Sequence, residues 1–437
     1  TEKPAIVYLG VMDSTGILSR AVSFSLEPFE LTGDSWMFLG PIPSLHVVNA
    51  SQNPDIPFAV EKNIRPAYEI SGRFYHWVTV EKNIEPELKI KKDAVYKRDS
   101  FLEWHYANGT TLLGMLALAR VNEESRYRNF VDSVVAFTLK NLPYFRWQHE
   151  TLHALRGSYY RLFRSSMLDD TSGPGLPYLD LALQDRKPAL DSLVESIAGY
   201  VTNKQVRLAD GTLCRPEPVA MTVWADDLFM GVPFLLRMGK LTGNSKYYDD
   251  AVLQILNFTR YLRDAKTGLF NHGWFSGSGK NTTVFWGRAN GWVAWTLSEA
   301  LLLLPADHPD YKKIQQIYHD FMASVREFRD KDGMWHQVLD YPESYEETSC
   351  TAMFILAMAR GVRLGWLPDD YRHLALQSWE ALASRIDNDG VVHGICRGTG
   401  IGDNLEFYLS RPTYDNDPRG LGAVLVAATE ISIMDKK

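Results

Sequence analysis

The sequence predicts an all-α protein built as an (α/α)6 barrel (a six-hairpin toroid), with a smaller β-containing region at the N-terminus. Three observations support this prediction. Apolar residues recur at helical spacing from about residue 101 onward, similar helices return at a regular interval, and the last helix is strongly apolar. We expect residues 1–95 to form a β-rich extension and residues 96–437 to form the catalytic barrel domain.

The helical spacing is clear in segments such as Leu112, Met115, Leu116 and Ala119, which place apolar side chains on one helix face. Apolar helices rich in small residues are expected to begin near residues 101, 174, 228, 287, 347 and 419. This interval of roughly 60 residues indicates repeated helix pairs, because one pair cannot bury its apolar face alone. Six pairs are enough to close a ring.

A second set of helices lies between the first, and each opens with a short polar motif that ends in tyrosine. These tyrosines are Tyr127, Tyr247, Tyr311 and Tyr371. The repeated unit is therefore an inner helix followed by an outer one. An open solenoid would need polar capping repeats, whereas residues 421–433 are among the most apolar of the chain, so closure into a barrel is favoured.

The first 95 residues show a different pattern, with alternation and frequent Pro, Gly and Asn. Residues 73–80 (RFYHWVTV) are typical of a β-strand. This change of period is the reason for placing a boundary near residue 95.

Charge and composition exclude several classes of function. Acidic residues outnumber basic ones by 53 to 46 and no basic cluster is present, which argues against a nucleic-acid partner. No apolar run approaches the ~20 residues that a membrane span requires. The three cysteines make neither a disulfide scaffold nor a metal motif. The chain begins at Thr1, so we expect a periplasmic or secreted protein with a removed signal, with the cytoplasm as the alternative.

Two acidic pairs precede predicted inner helices. Asp226 and Asp227 follow Trp224, with Pro233 expected in the first helical turn, and Asp169 and Asp170 occupy the equivalent place one repeat earlier. Neighbouring inner helices line one cavity, where two carboxylates can divide into a protonated acid and an ionised base. The alternative is that these aspartates only cap their helices.

A third cluster combines arginine with tryptophan. His272 and Trp274 come shortly before Trp286, Arg288 and Trp292, which open the next inner helix. A guanidinium matches a carboxylate through two hydrogen bonds and an indole can stack on a sugar, so this cluster predicts a uronate grip. The alternative is a solvated cap for Arg288 and a loop role for His272.

Two further loops carry polar and aromatic residues. Trp335 and His336 precede Glu347, which is also a plausible helix cap, and residues 397–403 (RGTGIGD) form a glycine-rich loop. Residues 273–280 lack the spacing and setting of a phosphate loop, and no HExxH or GxSxG motif is present. We therefore expect no metal and no cofactor.

Several of these motifs together resemble the unsaturated glucuronyl and rhamnogalacturonyl hydrolases, glycoside hydrolase families 88 and 105, the latter more closely. The matching stretches are Trp-x-Asp-x-Leu-x-Met from Trp224, Gly-Leu-x-x-His from Gly268, Trp-x-Arg-x-Asn-Gly-Trp from Trp286 and Gly-x-Trp-x-Gln-Val-x-Asp from Gly333. The resemblance covers residues from about 100 to 435. It implies an (α/α)6 barrel that hydrates the double bond of a 4,5-unsaturated uronic acid at the non-reducing end of an oligosaccharide.

The resemblance also implies roles for individual residues. Asp226 is expected to donate a proton to C4 and then to act as base for the water that adds at C5. The second carboxylate is expected to be Asp170, with Asp169 as the other possibility. The substrate-binding residues implied are Asp169, Arg215, Trp224, His272, Trp286, Arg288, Trp292 and Trp335. Family members often carry a histidine where this chain has Arg215, which leaves the glycan open.

Three alternatives remain at this point. An inverting glycosidase on saturated oligosaccharides would also use two carboxylates. A non-catalytic sugar-binding barrel would keep the tryptophans and arginine without needing Asp226. An epimerase on an α/α toroid would rely on paired histidines, which the sequence does not show. The sequence leaves the oligomeric state open.

Overall fold

The computed structural model describes residues 104–122, 125–151, 159–402 and 404–435, together with eight strands between Ala5 and Lys91. The chain divides into two compact units, which are His105–Val131 with Ser165–Lys437, and Thr1–Trp104 with Asp132–Arg164.

The helices are numbered in chain order. They are α1 (Tyr106–Ala119), α2 (Ser125–Thr151), α3 (Tyr160–Arg164), α4 (Ser172–Ala182), α5 (Pro188–Asn203), α6 (Ala225–Thr242), α7 (Ser245–Leu262), α8 (Gly287–Leu303), α9 (Tyr311–Glu327), α10 (Thr348–Arg363), α11 (Asp370–Ala383), α12 (Leu405–Leu409) and α13 (Pro418–Asp435).

The strands are short. They are β1 (Ala5–Met12), β2 (Leu18–Leu26), β3 (Trp36–Phe38), β4 (Val47–Asn49), β5 (Tyr68–Ile70), β6 (Arg73–His76), β7 (Val80–Glu81), β8 (Lys89–Lys91), β9 (Thr222–Trp224), β10 (Gly273–Phe275), β11 (Lys280–Asn281), β12 (Ile395–Cys396) and β13 (Thr413–Tyr414).

Six inner helices form a closed ring in the larger unit. The helices α1, α4, α6, α8, α10 and α13 pack side by side in this order, and α13 returns to pack on α1. A Cβ atom on Gly422 of α13 would lie 2.2 Å from the carbonyl oxygen of Thr110 in α1, so glycine is required where the ring closes. The predicted (α/α)6 barrel is confirmed.

The outer helices α5, α7, α9 and α11 each pack against the inner helix that precedes them. In α9 the buried side chains Ile314, Tyr318, Phe321 and Val325 share one face, whereas α8 is buried almost throughout. An inner helix contacts neighbours on all sides, which explains its uniformly apolar sequence, and an outer helix needs only one apolar stripe.

Most predicted helix starts agree with the structure, and two details differ. The helices α2, α7, α9 and α11 begin at or beside the tyrosine motifs, but α5 begins at Pro188 without one. Pro233 lies inside α6 and not in its first turn, because that helix already begins at Ala225. The first turn of α6 therefore carries the two aspartates.

The N-terminal strands pair in three small sheets. They have the orders β2-β1-β7, β3-β4 and β5-β6-β8. The strand expected over residues 73–80 is observed as β6 over Arg73–His76, and residues 77–79 lie outside the described residues. The boundary at residue 95 stays a prediction. Among the described helices, none is both long and apolar enough to cross a bilayer.

Candidate active site

A small sheet fixes the start of α6. Strand β9 pairs with β10 in antiparallel register, with Trp224 opposite Gly273. The backbone N–H of Ala225 donates to the carbonyl oxygen of His272 at 2.9 Å. Strand pairing thus brings the residues after Trp224 beside the residues before Gly273. Asp226, in the first helical turn, consequently lies next to His272.

The Asp226 carboxylate faces the imidazole of His272 at a distance of 3.1 Å between Oδ2 and Nε2. The contact is an ion-pair approach without good hydrogen-bond alignment, and neither atom has another hydrogen-bond partner among the described residues. The His272 ring is fully buried between Trp224 and Trp286, with centroid distances of 5.5 Å and 4.7 Å. This packing leaves the imidazole little freedom to turn away from the carboxylate.

The electrostatic environment of Asp226 favours the ionised form. Burial raises the pKa of this carboxyl, but the contact with His272 and the positive charges of Arg215 and Arg288 outweigh burial, so that the pKa falls below its ordinary value. Asp226 is therefore a base in the protein without substrate. To act as an acid, it has to gain a proton when substrate binds.

Asp227 is held on the other side by Arg215. The guanidinium Nε and Nη2 donate to the Asp227 carboxylate at 2.9 Å and 2.8 Å, and Nη2 also donates to Asp169 at 2.9 Å. Burial raises the pKa of Asp227, and the charges of Asp169 and Asp226 add to it, so that the pKa reaches about 7 in spite of Arg215. Arg215 also lies 4.0 Å over the Trp224 ring. Asp227 therefore holds the Arg215 guanidinium in place.

Asp169 and Asp170 belong to one turn of 3-10 helix, Leu168–Asp170, directly before α4. Asp169 points to Arg215, whereas Asp170 is completely buried and accepts a hydrogen bond from Ser166 at 3.1 Å. The two side chains therefore have different surroundings. The choice of Asp170 as second carboxylate stays a prediction.

Arg288 anchors the glycine-rich loop. Its two terminal nitrogens donate to the carbonyl oxygens of Cys396 and Arg397, and its guanidinium lies 4.8 Å over the Trp286 ring. The side chain is buried, yet none of the described carboxylates forms an ion pair with it. Its guanidinium thus has no direct ion-pair partner among the described carboxylates, although its charge reaches Asp226, and this arrangement suits a site for an anion.

Three other predicted residues lie deeper. Trp292 is buried and stacks on Phe229. Trp335 is fully buried, and its indole N–H donates to the carbonyl of Val325 at 2.8 Å, so a sugar contact for Trp335 stays a prediction. Glu347 accepts hydrogen bonds from the backbone N–H groups of Ser349 and Cys350, which confirms the expected helix cap.

The sequence did not point to Tyr408. This side chain is fully buried, and its hydroxyl oxygen lies 2.7 Å from Nδ1 of His272. It belongs to the short helix α12, between the glycine-rich loop and α13, where no motif marks it. The two partners are 136 residues apart in the sequence, and closure of the ring brings them together.

One group of acidic residues could hold a cation within the described ranges. Asp330, Asp332 and Glu346 offer oxygens within 4.8 Å of one another. Asp330 already pairs with His336 at 3.0 Å, and Glu346 pairs with Arg385. The cluster is partly exposed, as acidic groups without a metal commonly are.

Comparison with known proteins found a matching family model and several relatives. Residues 82–434 match the model of Glycosyl Hydrolase Family 88. The unsaturated rhamnogalacturonyl hydrolase YesR of Bacillus subtilis (strain 168) is 26% identical over 348 residues, which are 78% of this chain and 93% of that protein. An unsaturated 3S-rhamnoglycuronyl hydrolase of Formosa agariphila is 30% identical over 316 residues, 69% of this chain and 79% of that relative.

Solved structures show the same fold. A family 105 glycoside hydrolase from C. acetobutylicum ATCC 824 superposes with a TM-score of 0.67 at 23% identity, covering 78% of this chain and 98% of that one. The unsaturated glucuronyl hydrolase from Bacillus sp. GL1 gives a TM-score of 0.55 at 14% identity, covering 79% and 88%.

Proposed function

Because the chain belongs to Glycosyl Hydrolase Family 88, we propose that it releases a 4,5-unsaturated uronic acid from the non-reducing end of oligosaccharides produced by a polysaccharide lyase. The chain is a glycosidase, and its relatives are named as hydrolases of unsaturated sugars. The observation that carries the proposal is Asp226, a carboxylate only 13 % exposed that lies 3.1 Å from His272 at the start of an inner helix.

The reaction begins with proton transfer to carbon. Asp226 donates a proton to C4 of the C4–C5 double bond, and the positive charge that develops at C5 is shared with the ring oxygen. Water then adds at C5 and gives its proton to the Asp226 carboxylate. The resulting hemiketal opens, which converts C1 into a hemiacetal that expels the remaining oligosaccharide.

Asp226 needs a proton before the first step, although its pKa is low in the free protein. Bound substrate changes the surroundings of the Asp226 carboxyl group, because the substrate carboxylate brings a negative charge near Asp226 and the sugar ring displaces water. Both effects raise the pKa of a neighbouring carboxyl group. Substrate binding therefore converts Asp226 from base to acid, which suits a residue that must act as both.

We propose that the surrounding residues hold the unsaturated sugar. Arg288 offers a guanidinium without a direct ion-pair partner among the described carboxylates, Trp224 and Trp286 pack on both sides of His272, and Trp292 is proposed as a further sugar contact. Asp170 is the proposed second carboxylate. Arg215 acts through Asp169 and Asp227, whose positions it fixes.

The test compares an unsaturated uronic-acid disaccharide with its saturated counterpart. The expected result is loss of near-ultraviolet absorbance and release of the second sugar from the unsaturated substrate alone. Equal cleavage of the saturated disaccharide would identify an inverting glycosidase, and binding without turnover would identify a sugar-binding barrel. Either outcome contradicts the proposal.

A further inference from the structure

A buried chain of polar contacts leads from the glycine-rich loop to the catalytic carboxylate. The backbone N–H of Gly402 donates to the hydroxyl oxygen of Tyr408 at 3.2 Å. That hydroxyl lies 2.7 Å from Nδ1 of His272, and Nε2 of the same ring lies 3.1 Å from Asp226. Tyr408 and His272 are both fully buried, so these contacts form away from bulk water.

A single proton arrangement of a neutral imidazole satisfies the contacts on both sides of His272. A ring nitrogen beside an ionised carboxylate is attractive only when it carries a proton, which places the proton of neutral His272 on Nε2. Nδ1 must then accept a hydrogen bond. The Tyr408 hydroxyl can donate that bond, because its oxygen already serves as acceptor for the N–H of Gly402.

We propose that Tyr408 is a positioning residue that holds His272 as the Nε2–H tautomer facing Asp226, and thereby sets the proton affinity of the catalytic carboxylate. The proposal rests on the proposed function only in taking Asp226 as the proton donor. The partner of one imidazole nitrogen fixes which nitrogen faces the reacting group, and Tyr408 is this partner here.

This series of polar contacts also connects the glycine-rich loop to the catalytic carboxylate. Gly402 closes a loop whose other end is anchored by Arg288 at Cys396, and Ile401 of this loop packs so closely on Gly273 that a Cβ there would lie 2.2 Å from its Cδ1. Any substrate group that moves the loop therefore changes the hydrogen bond to Tyr408. Loop position and the tautomer of His272 are linked through one hydroxyl.

The first measurement needs no substrate. Nitrogen NMR of the full chain, with isotope-labelled histidine and assignment by His272→Asn, is expected to show His272 protonated on Nε2 and unprotonated on Nδ1 near neutral pH. In Tyr408→Phe the ring should also populate the Nδ1–H tautomer. An imidazolium or an Nδ1–H tautomer in the unmutated protein would overturn the proposal, whatever the enzyme activity proves to be.

The second measurement uses kinetics on the unsaturated disaccharide. Tyr408→Phe should lower kcat about threefold to tenfold, the range of one neutral hydrogen bond, with little change in KM and with a shifted pH dependence of kcat. In the His272→Asn background the same substitution should have no further effect, because Tyr408 acts through His272. Tyr318→Phe is the matched control, since the Tyr318 hydroxyl is also fully buried and donates to the carbonyl oxygen of Ala357, away from His272.

The outcomes separate the two proposals. An unmutated protein with the Nε2–H tautomer but no activity on unsaturated uronides contradicts the proposed function and leaves the role of Tyr408 intact. Equal losses in Tyr408→Phe and Tyr318→Phe, or additive losses in the double variant of Tyr408 and His272, would show that Tyr408 only supports the structure.

Discussion

The two ends of the inner ring treat charge in opposite ways. At the carboxyl ends of the inner helices, basic and acidic side chains alternate around the barrel, one in or directly after each helix. They are Arg120, Asp180, Arg237, Glu299, Arg360 and Glu430. At the amino ends the charges do not alternate around the ring: Arg215 pairs with Asp227 and Asp169, whereas none of the described carboxylates forms an ion pair with Arg288.

The contacts at the carboxyl ends are short. Arg237 lies 2.6 Å from Asp180 and 2.7 Å from Glu299, and Arg360 lies 2.7 Å from Glu299 and 2.9 Å from Glu430. These groups are nearly all buried. A buried charge is costly unless it is paired, so each member of this series requires its neighbours.

The amino ends, which carry the site, differ because some of their charged groups have no direct ion-pair partner of the Arg–carboxylate kind among the described residues. Among the described residues, Arg288 donates only to the carbonyl oxygens of Cys396 and Arg397, and Asp226 meets only the imidazole of His272 at close range. A buried charged group without a direct ion-pair partner favours the binding of a charged ligand and shifts the pKa values of neighbouring groups. The comparison indicates that the ring is secured at one end, which allows the other end to carry groups arranged for chemistry.

The sharpest way to break this comparison is Asp226→Asn. We expect an intact fold and a loss of turnover of ~10² to 10⁴, or more because the same group also serves as base. Thermal unfolding measured beside kcat separates the two effects. Asp227→Asn is the matched control, with a much smaller loss of kcat, since Asp227 is bound to Arg215. Equal losses in kcat would contradict the distinction between the two aspartates.

At the opposite end, Glu299→Gln should affect stability and leave kcat per folded molecule unchanged. Removing this carboxylate leaves Arg237 and Arg360 without their shared partner, and breaking a buried pair typically costs about 3–5 kcal/mol. Denaturant unfolding measures the loss. Asp370→Asn, which removes an exposed partner of Arg326, should change stability by less than ~1 kcal/mol.

The stability loss in Glu299→Gln should also depend on pH. Burial raises the pKa of Glu299, but Arg237 and Arg360 outweigh it and hold the pKa at about 2. A depressed carboxyl pKa stabilises the fold above the ordinary carboxyl range, and this stabilisation is lost as pH falls toward about 2. The stability difference between the unmutated protein and Glu299→Gln should therefore narrow in acid. A difference that stays constant would show that lost packing is the cause.

Arg288→Ala tests whether the guanidinium of Arg288 binds the carboxylate of the substrate. A hydrogen bond to a charged group contributes roughly 1.5–3 kcal/mol, so kcat/KM for the unsaturated acid should fall tenfold or more, mainly through KM. The methyl ester of the same substrate should lose much less. Parallel assays on acid and ester provide the measurement. Equal losses would mean that Arg288 serves only to anchor the loop at Cys396 and Arg397.

Sequence patterns predicted what depends on local spacing. The inner helices, the cap at Glu347 and the place of Asp226 at the mouth of an inner helix all follow from residues near one another in the chain, although the helix begins at Ala225 and not beside Pro233. Pairings between helices do not, because Arg237 meets Asp180 across 57 residues and His272 meets Tyr408 across 136. Such contacts depend on the closure and rotation of the ring, which apolar periodicity does not specify.

A smaller effect is expected in the pH dependence of catalysis. The pKa of Asp226 lies below its ordinary value in the free protein, so the protonated fraction, and with it kcat/KM, should already decline with rising pH in the acidic range. Bound substrate raises this pKa, so the decline in kcat should lie at a higher pH than the decline in kcat/KM. Coincident limbs would show that substrate does not change the proton affinity of Asp226.

The smallest expected effect is that of chelation, where the predicted change in kcat is none. Protonation of an electron-rich double bond needs no Lewis acid, and the carboxylate at the site is matched to an imidazole and a guanidinium charge. The acidic group formed by Asp330, Asp332 and Glu346 is the place where a cation could bind within the described residues, and its partners His336 and Arg385 already neutralise part of it. Exhaustive dialysis against EDTA should therefore leave turnover of the unsaturated disaccharide unchanged. Loss of activity that a divalent ion restores would contradict this prediction, and Asp332→Asn would then show whether that cluster holds the ion.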